Sequence, residues 1–152
     1  MANVSTNLMS ALLNNESIDE VFRSELENAI NEVLSTELTA FLDYEKYDYS
    51  GRNSGDSRNG FYDRTYQSRF GTLNLRIPRD REGLFKQHTI PSYQRSSNEL
   101  ETTIIQLYKK GITTREISDL IEKMYGHYYT PQTVSNITKA IQNQVERFHN
   151  RP

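Results

Sequence analysis

Apolar residues recur at helical spacing through the first third of the chain. Ile18, Val21, Phe22, Leu26, Ala29, Ile30, Val33, Leu34, Leu38, Phe41 and Leu42 approximate an i, i+3, i+4 series, which predicts a helix over residues 16–46. Ser17 suits its N-cap, and Asp19 and Glu20 fall in the first turn, where negative charge meets the positive end of the helix dipole. Such a helix would span ~45 Å at ~1.5 Å per residue, long for a small domain. Three readings fit the pattern. It is one helix packed on its own domain, two shorter helices, or three heptads that pair with a second chain as a homodimer.

The period then changes. The stretch "YDYSGRNSGDSRNG" is rich in Gly and Ser and reads as a flexible loop. Leu73, Leu75 and Ile77 alternate with Asn74 and Arg76, the period-two signature of a half-buried strand. Gly71 allows a turn before it, so residues 61–70 are predicted as the partner strand of a hairpin. Pro78 is expected to end the second strand, because it cannot donate to a ladder. A lone hairpin is marginal in water and must pack on something. Arg64, Arg69, Arg76, Arg79, Arg81 and Lys86 interleave with Phe61, Tyr62, Tyr66 and Phe70. Arginines among rings suit a nucleic-acid surface, with guanidinium groups on phosphates and rings for stacking. Aromatics alternating along a strand equally suit cross-strand core pairs.

A third pattern fills the C-terminal part. Leu100, Ile104, Leu107 and Tyr108 make one helical stripe, with Gly111 expected at C′. In "GITTREISDLIEKMYGHYYTPQTVSNITKAI", Thr113 can cap a second helix and Glu116 completes a capping box. Ile117, Leu120, Ile121 and Met124 form that helix's apolar face, and Gly126 can end it. Thr130 caps a third helix with Pro131 at its first position, where the missing N–H does no harm. Val134, Ile137, Ile141, Val145 and Phe148 are its buried stripe. Three such helices fit the tri-helical helix-turn-helix plan, although "GHYY" is longer than the tightest turn.

In that plan the third helix enters the major groove near its N-terminus. Its stripe leaves Gln132, Thr133, Ser135, Asn136, Lys139 and Asn143 outward, all polar and none acidic. Gln and Asn can pair bidentately with adenine, and Arg115, Lys109 and Lys110 can hold the backbone nearby. A solvated helix face has the same composition, so the pattern alone leaves both readings open.

The formal net charge of −2 conceals a gradient. Residues 1–48 hold two basic and ten acidic residues, residues 49–95 nine and four, and residues 96–152 seven and six. The middle and C-terminal parts therefore suit a polyanion partner. There is no cysteine, which excludes disulfides and thiolate metal sites. Apolar runs are too short to span a membrane, and the N-terminus lacks the pattern of a signal peptide, so a cytoplasmic location is expected. His88, His127 and His149 show no ligand spacing, the carboxylates of 1–48 read as a solvated helix face, and no catalytic site emerges.

The blocks "GRNSGDSRNGFYDRTYQSRFGTLNLRIPRDREGLF", "PSYQR" and "LYKKGITTREISDLIEKMYGHYYTPQTVSNIT" occur in this order. Together they resemble the N-terminal region of bacterial mutator-type insertion-sequence transposases, over roughly residues 10–150. The resemblance implies recognition of double-stranded DNA at the terminal inverted repeats of an insertion sequence. It also implies an RNase-H-like domain with a DDE triad that binds divalent metal, Mg, for DNA transposition. No residue here matches that triad, and the chain reaches "RFHNRP" about where that domain is expected to begin. No cofactor is expected in this chain, and whether it is an enzyme by itself stays open. Asn136 stands where the family pattern has Arg, which weakens the expectation of a phosphate contact there.

The expected architecture is α+β and mainly α. It comprises an N-terminal helical segment (1–48), a basic loop and β-hairpin (49–95), and a C-terminal helix-turn-helix unit (96–152). The expected DNA contacts are Arg115, Gln132, Thr133, Ser135, Asn136 and Lys139, with Arg64, Arg69, Arg76, Arg79 and Arg81 of the hairpin. A stand-alone transcriptional regulator and an oligomerisation module are the competing functions.

Overall fold

One uninterrupted 30-residue helix, α1 (Ile18–Tyr47), organises the fold. The computed structural model describes residues 18–47, 58–90 and 98–150, without the side chains of 43–47. The expected cap Ser17 lies outside them. After α1 come β1 (Arg58–Ser68), β2 (Gly71–Asp80), α2 (Asn98–Leu107), α3 (Thr114–Tyr125) and α4 (Pro131–His149). The architecture is α+β and mainly helical, with one two-stranded antiparallel sheet.

The middle of the apolar stripe of α1 is buried inside this chain. Ile30, Val33, Leu34 and Leu38 have no exposed surface, and α1 packs on β2, α2 and α4. Each such side chain contributes about 1.5–3 kcal/mol on burial. The middle of the stripe is thus covered by the hairpin and the C-terminal helices, while Ile18 at its start is 47% exposed.

A second, polar line on α1 meets the hairpin edge on. Glu27 accepts the backbone N–H of Asn74 at 2.7 Å, and Asn31 accepts that of Arg76 at 2.8 Å. The Asn31 amide donates to the Asn74 carbonyl, and Arg23 donates to the Thr72 carbonyl. The match is metric. Four helical residues advance ~6 Å and two strand residues ~6.7 Å, so Arg23, Glu27 and Asn31 step alongside Thr72, Asn74 and Arg76. This closes the outer edge of β2, which would otherwise invite another strand.

The same geometry corrects the expectation at Pro78. β2 continues through Pro78, which pairs with Phe61, as far as Asp80. The N–H groups of Asn74 and Arg76 point to the outer edge, and with a period of two the Pro78 nitrogen does as well. Its missing hydrogen therefore removes no ladder bond. β1 also begins earlier than expected, at Arg58, with an irregularity between Arg58 and Phe61. Arg58 reaches α1 at Ser35 and Thr39. At the other end Ser68 pairs with Gly71 across a two-residue turn, and Gly71 takes a φ of 128°, which side chains rarely adopt. Tyr66, Leu73, Leu75 and Ile77 form the core face of the ribbon, at most 2% exposed.

The C-terminal helices complete the core with Leu100, Ile104, Leu107, Ile117, Ile121, Tyr125, Val134, Ile137, Ile141 and Val145. α4 packs on both α3 and α1, and α2 packs on α1 and α3. The three helices thus share one core with α1. α2 ends at Leu107, four residues before Gly111, so Gly111 is not its C′ residue. Instead, Gly111 lies in the turn in which the Ile112 N–H donates to the Lys109 carbonyl, with a φ of 90°. Among the described residues no helix is long and apolar enough to cross a membrane.

Candidate nucleic-acid interface

The start of α4 is locally determined. Thr130 is extended, and its hydroxyl oxygen accepts the Thr133 N–H at 3.3 Å, while Pro131 needs no partner. α3 starts in the same way, with the Thr113 oxygen accepting the Glu116 N–H and the Thr113 hydroxyl donating to the Glu116 carboxylate. Gly126–Thr130 separate the two helices.

On α4, Gln132, Lys139 and Asn143 are exposed and Asn136 and Ser135 half-buried. Gln132, Asn136, Lys139 and Asn143 are spaced four, three and four apart, one stripe along the helix. Gln132 donates to the Asn136 side chain at 3.0 Å, which orients both amides. No carboxylate occurs on α4 before Glu146. Thr133 departs from the expectation. It is 2% exposed, because it lies one and two turns before Ile137 and Ile141 and so joins the buried stripe.

The entry into α4 is tied to the rest of the fold by a buried carboxylate. Glu37 of α1 has no exposed surface. Its Oε2 accepts the Tyr129 hydroxyl at 2.6 Å and the His88 N–H at 2.7 Å. Its Oε1 accepts the Thr89 hydroxyl at 2.7 Å and the Thr89 N–H at 3.3 Å. With the Thr89 hydrogen so used, the Tyr125 hydroxyl donates to the Thr89 oxygen at 2.6 Å. Burial pushes the Glu37 carboxyl above its ordinary value, against the lowering effect of these hydrogen bonds. Burial and the Glu37 charge push both Tyr125 and Tyr129 upward, so both remain hydroxyl donors.

The hairpin arginines divide. Arg69 donates from its backbone N–H and its Nε to Glu101, both at 3.0 Å, and Glu101 is 1% exposed. This guanidinium holds the hairpin turn onto α2, a structural use that the sequence reading did not foresee. Arg76 lies over the Phe61 ring at 4.9 Å and Arg79 over the Tyr62 ring at 5.1 Å, with both rings about half exposed. Arg64 and Arg79 line one cleft of about 470 Å³ together with Tyr62 and Lys86. Arg81 is exposed in the loop that follows. Arg115 is exposed in the first turn of α3, where the neighbouring Thr114 carbonyl accepts from Gln142 of α4. Of the predicted contacts, Arg64 and Arg79 share a cleft and Gln132, Asn136 and Lys139 share a stripe of α4, whereas Arg69 is turned to Glu101 and Thr133 to the core.

Loop 81–90 carries residues that periodicity could not single out. Its Lys86 lines a second cleft of about 280 Å³ with His88, Tyr128, Thr130 and Thr133, beside the first turn of α4. His88 stacks on Tyr128 with ring centroids 3.9 Å apart and planes 8° from parallel. Burial and the nearby Lys86 charge lower the His88 pKa. A basic residue between two aromatic blocks was the only available signal. Glu37 gave none, since it continues the helical spacing of acidic residues along α1.

Among the described residues no group of three His, Asp or Glu could hold a metal. The family model for transposases of the Mutator family matches residues 2–152. The transposase for insertion sequence element IS905 of Lactococcus lactis subsp. lactis (strain IL1403) is 52% identical over 151 residues, which cover 99% of this chain and 39% of that protein. The transposase for insertion sequence element IS1201 of Lactobacillus helveticus is 50% identical over 151 residues, covering 99% and 41%. The transposase for insertion sequence element IS256 in transposon Tn4001 of Staphylococcus aureus is 29% identical over 133 residues, covering 88% and 34%. The chain thus spans about two fifths of the length of the first two relatives.

Proposed function

The chain belongs to the mutator family of transposases, and from that membership we propose that it is a DNA-binding part of such a protein. Its target in this reading is the terminal inverted repeats of an insertion sequence. α3 and α4 act as a helix-turn-helix, with α4 in the major groove. Gln132 and Asn136 read base edges, and Lys139 meets a phosphate. Ser135 lies beside them on the same helix, while the buried Thr133 acts through the cap rather than by contact. Arg115 and the arginines Arg64, Arg76, Arg79 and Arg81 hold the backbone, which fixes register without reading sequence. Strand cleavage and transfer, with an acidic triad and Mg, belong in this reading to another part of the full-length protein.

The observation that carries the reading is the stripe Gln132, Asn136, Lys139 and Asn143 on a helix with no acidic residue before Glu146. A face free of carboxylates suits approach to DNA, which presents one negative charge per ~1.7 Å of axis. The test is binding of the protein to terminal-repeat duplex and to a scrambled duplex at two salt concentrations. Tighter binding to the repeat, weakening as salt rises, is expected. Equally weak binding to both duplexes with no salt slope would overturn the reading.

A further inference from the structure

Two clefts meet at Lys86, one beside the hairpin and one beside the first turn of α4, and together make one groove surface. Arg64, Arg79 and Tyr62 line one end, and His88, Tyr128 and Thr130 the other. Asp80 is the one carboxylate lining either cleft. It is 5% exposed, and its Oδ2 accepts the Leu84 N–H at 2.8 Å. The accessible charge of the groove is therefore positive. Its walls also expose apolar surface, with Leu84 at 61%, Tyr128 at 58% and Tyr62 at 45%. Cations with exposed apolar and aromatic edges between them match a sugar–phosphate strand, which alternates charge with apolar ring faces.

The groove is built rather than incidental. Arg79 is held over the Tyr62 ring, and Tyr128 is stacked on His88. The floor beneath them is fixed where Glu37 accepts from the His88 and Thr89 backbone and from the Tyr129 hydroxyl. Loop 81–90 and the α4 entry are thereby pre-positioned, so a ligand would lose little freedom in ordering them.

We propose that this groove is a second DNA-contact site, in which Lys86, Arg79 and the Tyr128–His88 pair hold the backbone of one strand flanking the site that α4 reads. The inference rests on the reading of α4 given above. The groove adds affinity and length of footprint but no sequence discrimination, because its donors reach phosphates and sugars only.

The test uses terminal-repeat duplexes of two lengths, one covering only the segment protected by α4 and one extended on each side. Far-ultraviolet circular dichroism checks that each variant is folded. The double variant Lys86→Gln/Arg79→Gln is expected to lose about tenfold or more in affinity for the long duplex and about two units of salt slope, as for two lost phosphate contacts. On the short duplex it should match the unmodified protein. The preference for repeat over scrambled sequence should not change. Lys123→Gln, which removes one charge outside the groove, should leave both duplexes unaffected. Failure of the unmodified protein to prefer the repeat would defeat the α4 reading itself. If that preference stands but the double variant binds the long duplex with unchanged affinity and slope, the groove is not a DNA site. Equal losses on both duplexes would also overturn the flanking-strand assignment.

Discussion

The carboxylate of Glu37 accepts the hydroxyl of Tyr129 at 2.6 Å, joining the middle of α1 to the residue just before the cap of α4 across 92 positions of sequence. A buried carboxylate is costly unless its oxygens are fully used, and here both are. This contact fixes where α4 begins relative to α1 and loop 81–90.

Tyr129→Phe keeps the ring and removes the donor. It should destabilise the protein by about 1–3 kcal/mol, since it leaves a buried oxygen short of a partner. Urea denaturation monitored by circular dichroism measures the effect. A loss below about 0.5 kcal/mol, typical of an uninvolved surface position, would contradict the role of this contact.

The Glu37 carboxyl should titrate above its ordinary value of 4.5, because burial disfavours the charge. The folded state then keeps the proton to higher pH than the unfolded chain does. The associated stability is fully present below 4.5 and is lost as pH rises through the folded value. Comparison with Glu37→Gln isolates this slope from the other carboxylates. The unmodified protein should lose stability relative to the variant as pH rises across that window, and a relative gain would show that the hydrogen bonds outweigh desolvation.

His88 behaves in the opposite sense. Burial first, and the Lys86 charge second, place its pKa below the ordinary 6.5, so the neutral ring is favoured in the fold. The stability linked to this shift is present above 6.5 and is lost as pH falls through the folded value. Proton NMR of the imidazole should show a midpoint below 6.5, and Lys86→Gln should raise it without restoring it fully. A midpoint indifferent to that substitution would separate Lys86 from the His88–Tyr128 stack.

What could be read from sequence was local. Thr113, Thr130 and Pro131 announced helix starts because a cap and its N–H partner lie within three residues. The alternation at Leu73, Leu75 and Ile77 announced the strand for a similar reason. Pro78 misled because its effect depends on which edge its nitrogen faces, and Asn31 on α1 reveals that edge. Arg69 resembled its neighbours until Glu101, 32 residues later, proved to be its buried partner. Thr133 lay at the border of the α4 stripe, where one step of rotation separates the exposed face from the core. Glu37 was invisible, since a carboxylate with partners 51 to 92 residues away has no local signature.

The reading of α4 as the element that meets DNA is tested most directly by binding of Gln132→Ala and Lys139→Ala to repeat and scrambled duplexes over a range of salt. Gln132→Ala should cost about 1–3 kcal/mol on the repeat and almost nothing on the scrambled duplex. Lys139→Ala should weaken both alike and reduce the salt slope by about one unit. If both substitutions instead act equally on specific and random DNA, or neither acts at all, α4 does not read the groove.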